Sequence, residues 1–305
     1  MKLRLGTSGT ELARAQSQWA AQELLAAAAE QGIELDIEHV VLTHLADPSH
    51  LSPAGPHDPP AAVAQLREAL LADCCDVLVH AVSDLPVEPR PGLTLAAFCA
   101  RSDVGEALCA GGVTWEDLPD DARVGIGSAR RAAQLLALRP GLTVEPLRGN
   151  VDAQLAAVGT QFDAVVLAVA DVNSLGSSAE IDHVFPVDQM VPAAGQGALA
   201  LELMEGAAEA LWSVVTVLDD AKARACVTAE RAALAVMGAG YSSPVGAYAS
   251  LTGSAMTLVV KAVRADGKLS LMEKVSAPVG DAASLGRRAG HALLGRGAER
   301  LFTTA

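Results

Sequence analysis

Lysine is what this chain most conspicuously lacks. None occurs between Lys2 and Lys222, so no Schiff-base lysine can act in the first two thirds of the sequence. Aromatic residues are scarce too, at 3% against 51% hydrophobic residues overall, so the cores must be aliphatic, built from Ala, Val and Leu. Positive charge is in deficit, with a net formal charge of −14. A nucleic acid or an anionic membrane needs a basic footprint. Neither partner is expected, although a local cationic pocket is not excluded. No apolar run approaches the roughly 18 residues of a membrane span. The opening MKLRLGTSGTEL has no apolar signal region. The five cysteines contain no CxxC pair. Cys74 and Cys75 lie at a helix end, and buried reduced thiols in a cytoplasmic protein are expected.

What is present reads as alternating strands and helices. Residues 3–7 form a strand and 11–31 an Ala- and Leu-rich helix with apolar residues at helical spacing. A β-rich stretch covers 35–43. A loop at 44–60 holds six Pro or Gly and three His. A helix over 61–72 leads to the buried strand DVLVH at 76–80. The alternation predicts parallel strands and an α/β layer. It repeats over roughly 104–190: strands at 124–126, 142–146 and 162–169, with helices over GSARRAAQLLAL and at 151–158. The segment GQGALALEL at 195–203 is strand-like and returns to the first unit. Two helices (206–218, 220–238), three strand-like segments and a helix at 281–296 then make an α+β unit of about 85 residues.

Candidate chemistry clusters at strand-to-helix junctions. In VGIGSARR, Gly125 and Gly127 let the chain turn tightly into a helix whose free N–H groups make an anion site. Arg130 and Arg131 stand in the first helical turn, where the helix dipole disfavours cations. That placement points to recognition of carboxylate or phosphate. A dinucleotide fingerprint fits poorly, because Arg130 takes the place of its third glycine. LRGN at 147–150 is a second such junction, with Arg148 beside Gly149 and Asn150 as N-cap. HAVSDLP at 80–86 places Asp84 in a loop after a buried strand. A carboxylate serving a site and a turn-forming Asp before proline are both open there. His44, His50 and His57 match no zinc spacing, and no metal is expected.

Together these fragments resemble the porphobilinogen deaminase (hydroxymethylbilane synthase) family. GSARRAAQLLALRPGLTVEPLRGNVD, HAVSDLP, VPAAGQGALALE and AERAALAVMGAGYSSPVGAYA occur in family order and spacing over nearly the whole chain. The resemblance implies two type II periplasmic-binding-protein-like α/β domains with a cleft between them. It also implies a small C-terminal α+β domain with a three-stranded sheet. The expected boundaries are 1–98 plus 194–217, then 99–193, then 218–305. Family members condense four porphobilinogens, releasing ammonia each time, on a dipyrromethane held by a cysteine thioether. By that resemblance Asp84 is the catalytic aspartate, which offsets charge on a cationic azafulvene. Arg130, Arg131 and Arg148 bind pyrrole carboxylates, and Ser128, Ser83, Thr7, Ser8 and Gln196 complete the substrate-binding set.

The departures from the family pattern are specific. Tyr241 stands at the family's cofactor cysteine, and a phenol with a pKa of about 10 is a poorer nucleophile. Ser8, Gln154 and Ser174 replace arginines, Ser83 replaces a lysine, and PAGPHDPPAAV replaces a lysine-rich loop. Three expectations follow. The dipyrromethane is absent. The protein is a cytoplasmic monomer without nucleic-acid or membrane partners. It is an enzyme of altered chemistry acting on one small, carboxylated, pyrrole-like or amine-bearing substrate in a specialised pathway. The alternatives are hydroxymethylbilane synthesis with unusual priming and a non-catalytic small-anion binding protein.

Overall fold

The computed structural model describes residues 1–42 and 61–302. The loop carrying His44, His50 and His57, and most of PAGPHDPPAAV, lies outside the described residues. The chain divides into two compact units, Met1–Arg101 with Ala198–Arg224, and Ser102–Gly197 with Ala225–Ala305.

In the first unit, β1 (Lys2–Thr7) pairs in parallel with β2 (Asp36–Val41) and with β3 (Val77–Ala81). Helix α1 (Glu11–Glu30) starts where the Thr10 hydroxyl accepts a hydrogen bond from the Ala13 N–H at 3.2 Å, satisfying one of the helix's unpaired donors. Its Ala20, Leu24 and Ala28 recur at four-residue spacing and are buried. Helix α2 (Ala61–Leu71) leads into β3, and the sheet ends on β4 (Leu93–Phe98). Between β3 and β4 runs β10 (Leu199–Met204), antiparallel to both. The sheet order is β2-β1-β3-β10-β4. The return of this segment is as expected, but the sheet is mixed rather than parallel. The core is aliphatic: Leu3, Leu5, Leu24, Val77, Leu201 and Leu203 pack together. Cys75 is fully buried, and burial pushes its thiol up to about 12.

The second unit repeats the plan. β5 (Glu106–Cys109), β6 (Arg123–Ile126), β7 (Thr143–Pro146), β8 (Ala164–Ala168) and β9 (His183–Phe185) order as β7-β6-β8-β5-β9. Again three neighbouring strands, here β7, β6 and β8, are parallel, and one strand, β5, is inserted antiparallel. Helices α3 (Ala129–Leu138), α4 (Val151–Leu155) and α5 (Val169–Ser174) each follow a strand of this sheet.

Helix α6 (Glu209–Val215) belongs to the first unit, and α7 (Ala221–Met237) begins there and continues into the second. The antiparallel sheet β11 (Val245–Thr252), β12 (Ala255–Val263) and β13 (Ser270–Pro278) is closed by α8 (Ala282–Gly295). α8 approaches α7 through glycines: a Cβ at Gly286 would collide with the Ala229 carbonyl oxygen, and one at Gly290 would lie 2.8 Å from that of Ala233. The fully buried Glu230 of α7 accepts the N–H of Gly195 and that of Ala249 in β11, both at 2.7 Å. One carboxylate thereby ties the AAGQG turn to the three-stranded sheet.

Candidate functional site

The HAVSDLP segment lies in the first unit. β3 ends in a 3-10 turn, Val82–Asp84, held by the Val82 N–H on the Ala198 carbonyl at 3.0 Å. Asp84 is thus half-buried at the carboxyl end of a buried strand, as expected. The strand end is itself anchored. His80 lies 3.0 Å and Arg67 2.8 Å from the carboxylate of Glu202 on β10, and all three are buried. Burial alone would raise Glu202, but hydrogen bonds from His80 and Arg67 hold it below the ordinary carboxylate value. This triad was not legible in the sequence, because its members are up to 135 residues apart.

Thr7 is buried, and its hydroxyl donates to the Ala13 carbonyl at 3.0 Å, closing the first turn of α1. The Ser8 hydroxyl lies 3.3 Å from that of Thr10. Ser83 is half-buried on the 3-10 turn beside Asp84.

The arginine junction lies in the second unit. β6 runs into α3 through Gly127, where a Cβ would lie 3.1 Å from the Leu147 carbonyl oxygen. The Ser128 hydroxyl caps α3 with a long 3.4 Å hydrogen bond from the Arg131 N–H. The arginines do grip a carboxylate, but it is the protein's own. Glu106, 0% exposed at the head of β5, lies 2.6 Å from Arg130 Nη2 through one oxygen and 2.6 Å from Arg131 Nε through the other. Arg130, 5% exposed, also donates to the Val191 carbonyl at 3.0 Å and to Gln196 at 3.3 Å. Gln196 Nε2 donates to Glu106 at 3.0 Å and to the Val104 carbonyl at 2.9 Å. Arg130 and Gln196 are therefore members of a buried network. The outward reading of the helix start applies to Arg131. Its Nη groups have no hydrogen-bond partner among the described residues, and its side chain is 15% exposed.

Burial pulls Arg130 below its ordinary value. Burial acts the same way on Arg131, but the charges of Glu106 and Asp171 outweigh it and raise that group. Asp171, in the first turn of α5, interacts electrostatically with Arg131 and Glu106. Burial and the charge of Glu106 push its carboxyl up to about 6 against the opposing pull of Arg131. Glu106 and Asp171 escaped the sequence reading. The available signal was an acid opening the buried strand EALC, and a second acid following the apolar run AVVLAVA.

Arg148 is exposed, and its side chain makes no hydrogen bond or ion pair among the described residues. Gln154 donates to the Gly149 carbonyl at 2.8 Å, and Ser174 to that of Ala170 at 2.8 Å. Tyr241 is 57% exposed on the loop after α7, and its phenol acts electrostatically on both Arg130 and Arg131. In this unit Cys109 and Cys226 are both buried. Among the described residues, no group of three His, Cys, Asp or Glu could hold a metal ion, and no helix is long and apolar enough to cross a membrane.

Two α/β sheets with one inserted antiparallel strand each, a three-stranded α+β element and an arginine-rich helix start define the class. It is an α/β protein with two five-stranded mixed sheets and an added three-stranded C-terminal sheet. The sequence matches the family model "Porphobilinogen deaminase, dipyromethane cofactor binding domain" over residues 3–211 and "Porphobilinogen deaminase, C-terminal domain" over 224–295. It is 38% identical to a porphobilinogen deaminase of Thermobifida fusca, over 99% of this chain and 96% of that protein. It is 41% identical to one of Leifsonia xyli, over 88% and 82%. The chain belongs to the porphobilinogen deaminase family of transferases of tetrapyrrole biosynthesis. A solved periplasmic substrate-binding protein from Coxiella burnetii aligns with 71% of this chain and 91% of its own at 14% identity, with a TM-score of 0.44.

The expectation that the dipyrromethane is absent is overturned here. The larger matched domain is the family's dipyromethane cofactor binding domain. Arg131, whose Nη groups have no hydrogen-bond partner among the described residues, is a cation of the kind that the cofactor's carboxylates would need. Tyr241, where the resemblance puts the cofactor cysteine, is an exposed phenol.

Proposed function

We propose that this chain carries out the deaminating condensation of porphobilinogen to hydroxymethylbilane, with a priming mode that does not use a thioether. What supports this reading is a near full-length family match that keeps Asp84 on a turn anchored from β3 and β10. Porphobilinogen carries an aminomethyl group on an electron-rich pyrrole. Loss of ammonia leaves a cationic azafulvene, and a fixed carboxylate beside the ring N–H stabilises that charge as it forms. Asp84 takes this role. Within the second unit, Arg131 and the capped start of α3 take ring carboxylates, with Arg148 and Ser128 as further polar contacts; within the first, Ser83 and Ser8 supply polar groups. Arg130 and Gln196 act indirectly, by holding Glu106 and through it Arg131. When bound, the dipyrromethane supplies the primer on which the chain of rings is extended. Arg131 and Tyr241 are the groups that would hold it.

The test is incubation with porphobilinogen, following ammonia release and the uroporphyrin obtained after acid and oxidation. The wild type should give both. Asp84→Ala should lower the rate by roughly 100-fold or more, as for removal of one group that stabilises transition-state charge. Ammonia release that persists in Asp84→Ala would remove Asp84 from the mechanism. Ehrlich reagent on the purified protein should show a pyrrole colour that leaves with the filtrate after denaturation. Colour that remains on the chain would instead indicate attachment at Tyr241.

A second reading is favoured by Glu106. It takes one positive charge from the arginine pair, so the site offers one unit of charge where a growing polypyrrole brings two carboxylates per ring. On this reading the substrate is a single carboxylated ring or other amine-bearing acid. Ammonia release without any uroporphyrin would select it.

A further inference from the structure

Resting on the reading of Asp84 as the carboxylate that stabilises the azafulvene, we propose that His80 is a positioning residue: its hydrogen bond to Glu202 fixes the end of β3 and with it the turn that carries Asp84. The pairing of the strand gives the reason. β3 pairs with β1 only at Val77 and Leu78. Among the described residues, Val79, His80 and Ala81 pair on one side alone, with Leu201, Ala200 and Leu199 of β10. The chain then turns at Val82–Asp84. There the Val82 N–H donates to the Ala198 carbonyl at 3.0 Å, and the Leu85 N–H to that of Val82 at 3.2 Å. Asp84 therefore extends from a strand end that is held by a single neighbouring strand.

His80 adds a side-chain bond to that one-sided hold. Glu202 pairs with Leu78, two residues before His80, so the side chains of Glu202 and His80 share a face of the sheet. His80 Nε2 lies 3.0 Å from Glu202 Oε2, and both side chains are 2% exposed. Arg67 of α2 meets the same carboxylate in two places, Nε at 3.0 Å from Oε2 and Nη2 at 2.8 Å from Oε1. Burial opposes ionisation of Glu202, but hydrogen bonds from His80 and Arg67 outweigh it. An ionised carboxylate only accepts, so the proton of the shared bond sits on His80 Nε2. Arg67 touches both oxygens and supplies the charge that a buried carboxylate requires. The bond from His80 is left to orient the strand end. An apolar side chain at position 80 would keep Arg67 and Glu202 paired and let the end of β3 shift. Misplacing a reacting group by about 1 Å costs up to roughly 100-fold in rate.

The test uses the full chain with porphobilinogen, reading kcat and KM from ammonia release. His80→Leu should stay folded, because Arg67 still compensates Glu202. It should lower kcat about 10- to 100-fold and leave KM within about twofold, the pattern of an interaction expressed only in the transition state. His80→Gln, whose amide nitrogen reaches the position of Nε2, should recover most of the lost rate. His80→Asn, whose shorter amide does not reach it, should stay slow. A folded His80→Leu protein that turns over like the wild type, a raised KM with unchanged kcat, or a His80→Gln protein as slow as His80→Leu would overturn the proposal. If His80→Leu does not fold, His80→Gln against His80→Asn decides, and equal rates overturn it. Asp84→Ala, assayed alongside, separates this proposal from the catalytic reading. An inactive Asp84→Ala beside a fully active His80→Leu defeats the positioning role alone. Ammonia release that persists in Asp84→Ala, or is absent from the wild type, defeats the catalytic reading and this proposal with it.

Discussion

Adjacent arginines in the first turn of a helix repel each other and the helix dipole. Glu106 makes the arrangement tolerable by taking a guanidinium on each of its oxygens. Breaking such a buried pair from one side is costly, because the partner stays charged out of water. Arg130→Ala should therefore lower stability by about 3–5 kcal/mol, measured by urea unfolding. An Arg130→Ala protein as stable as the wild type would show the pair to be dispensable. Asp171 leads to a pH expectation whose sign follows from its raised value. Its folded form holds a proton that the unfolded chain, with an ordinary carboxyl near 4, has already released. Between about pH 4 and 6 the folded state binds more protons, so this group's contribution to stability falls as pH rises through that window. The melting temperature of Asp171→Asn should rise relative to wild type on going from pH 4.5 to 7. A constant difference across that range would contradict the assignment. The sequence made the arginines legible as carboxylate binders, because a cation at a helix start needs a partner. It did not show that the nearest carboxylate is 24 and 25 residues upstream in the same chain.

Elements followed the residue pattern where local physics sets them. Thr10, Ser128 and Asn150 each cap the helix that follows, accepting the N–H three residues on, and Asn150 was expected there from its residue type. The antiparallel course of β10 and β5 was not legible, since an apolar alternation has no direction. Close helix contact was equally hidden: Gly286 and Gly290 in α8 look like helix-weakening residues, yet they admit the backbone of α7 at Ala229 and Ala233. Ala is the better helix former by roughly 1 kcal/mol, but at Gly286 its Cβ meets a carbonyl oxygen. Gly286→Ala should destabilise by about 1–3 kcal/mol from overpacking, seen as a lower urea midpoint. A stabilised variant would mean that the helices separate without cost.

Over the whole molecule the net charge of −14 opposes compaction, because like charges repel more in the folded than in the expanded chain. Raising sodium chloride from 10 to 200 mM shortens the Debye length from about 30 Å to below 10 Å, so thermal stability should increase over that range. A falling melting temperature would mean that salt-sensitive ion pairs outweigh the general repulsion. Composition and pattern determined the aliphatic cores, the strand–helix alternation and the family, because each depends on residue type and spacing along the chain. Only the tertiary structure decided that Glu106 neutralises half of the arginine pair and that Glu202 anchors the strand before Asp84. Those pairings join residues far apart in sequence. Their energies arise from burial and distance, which no local pattern encodes.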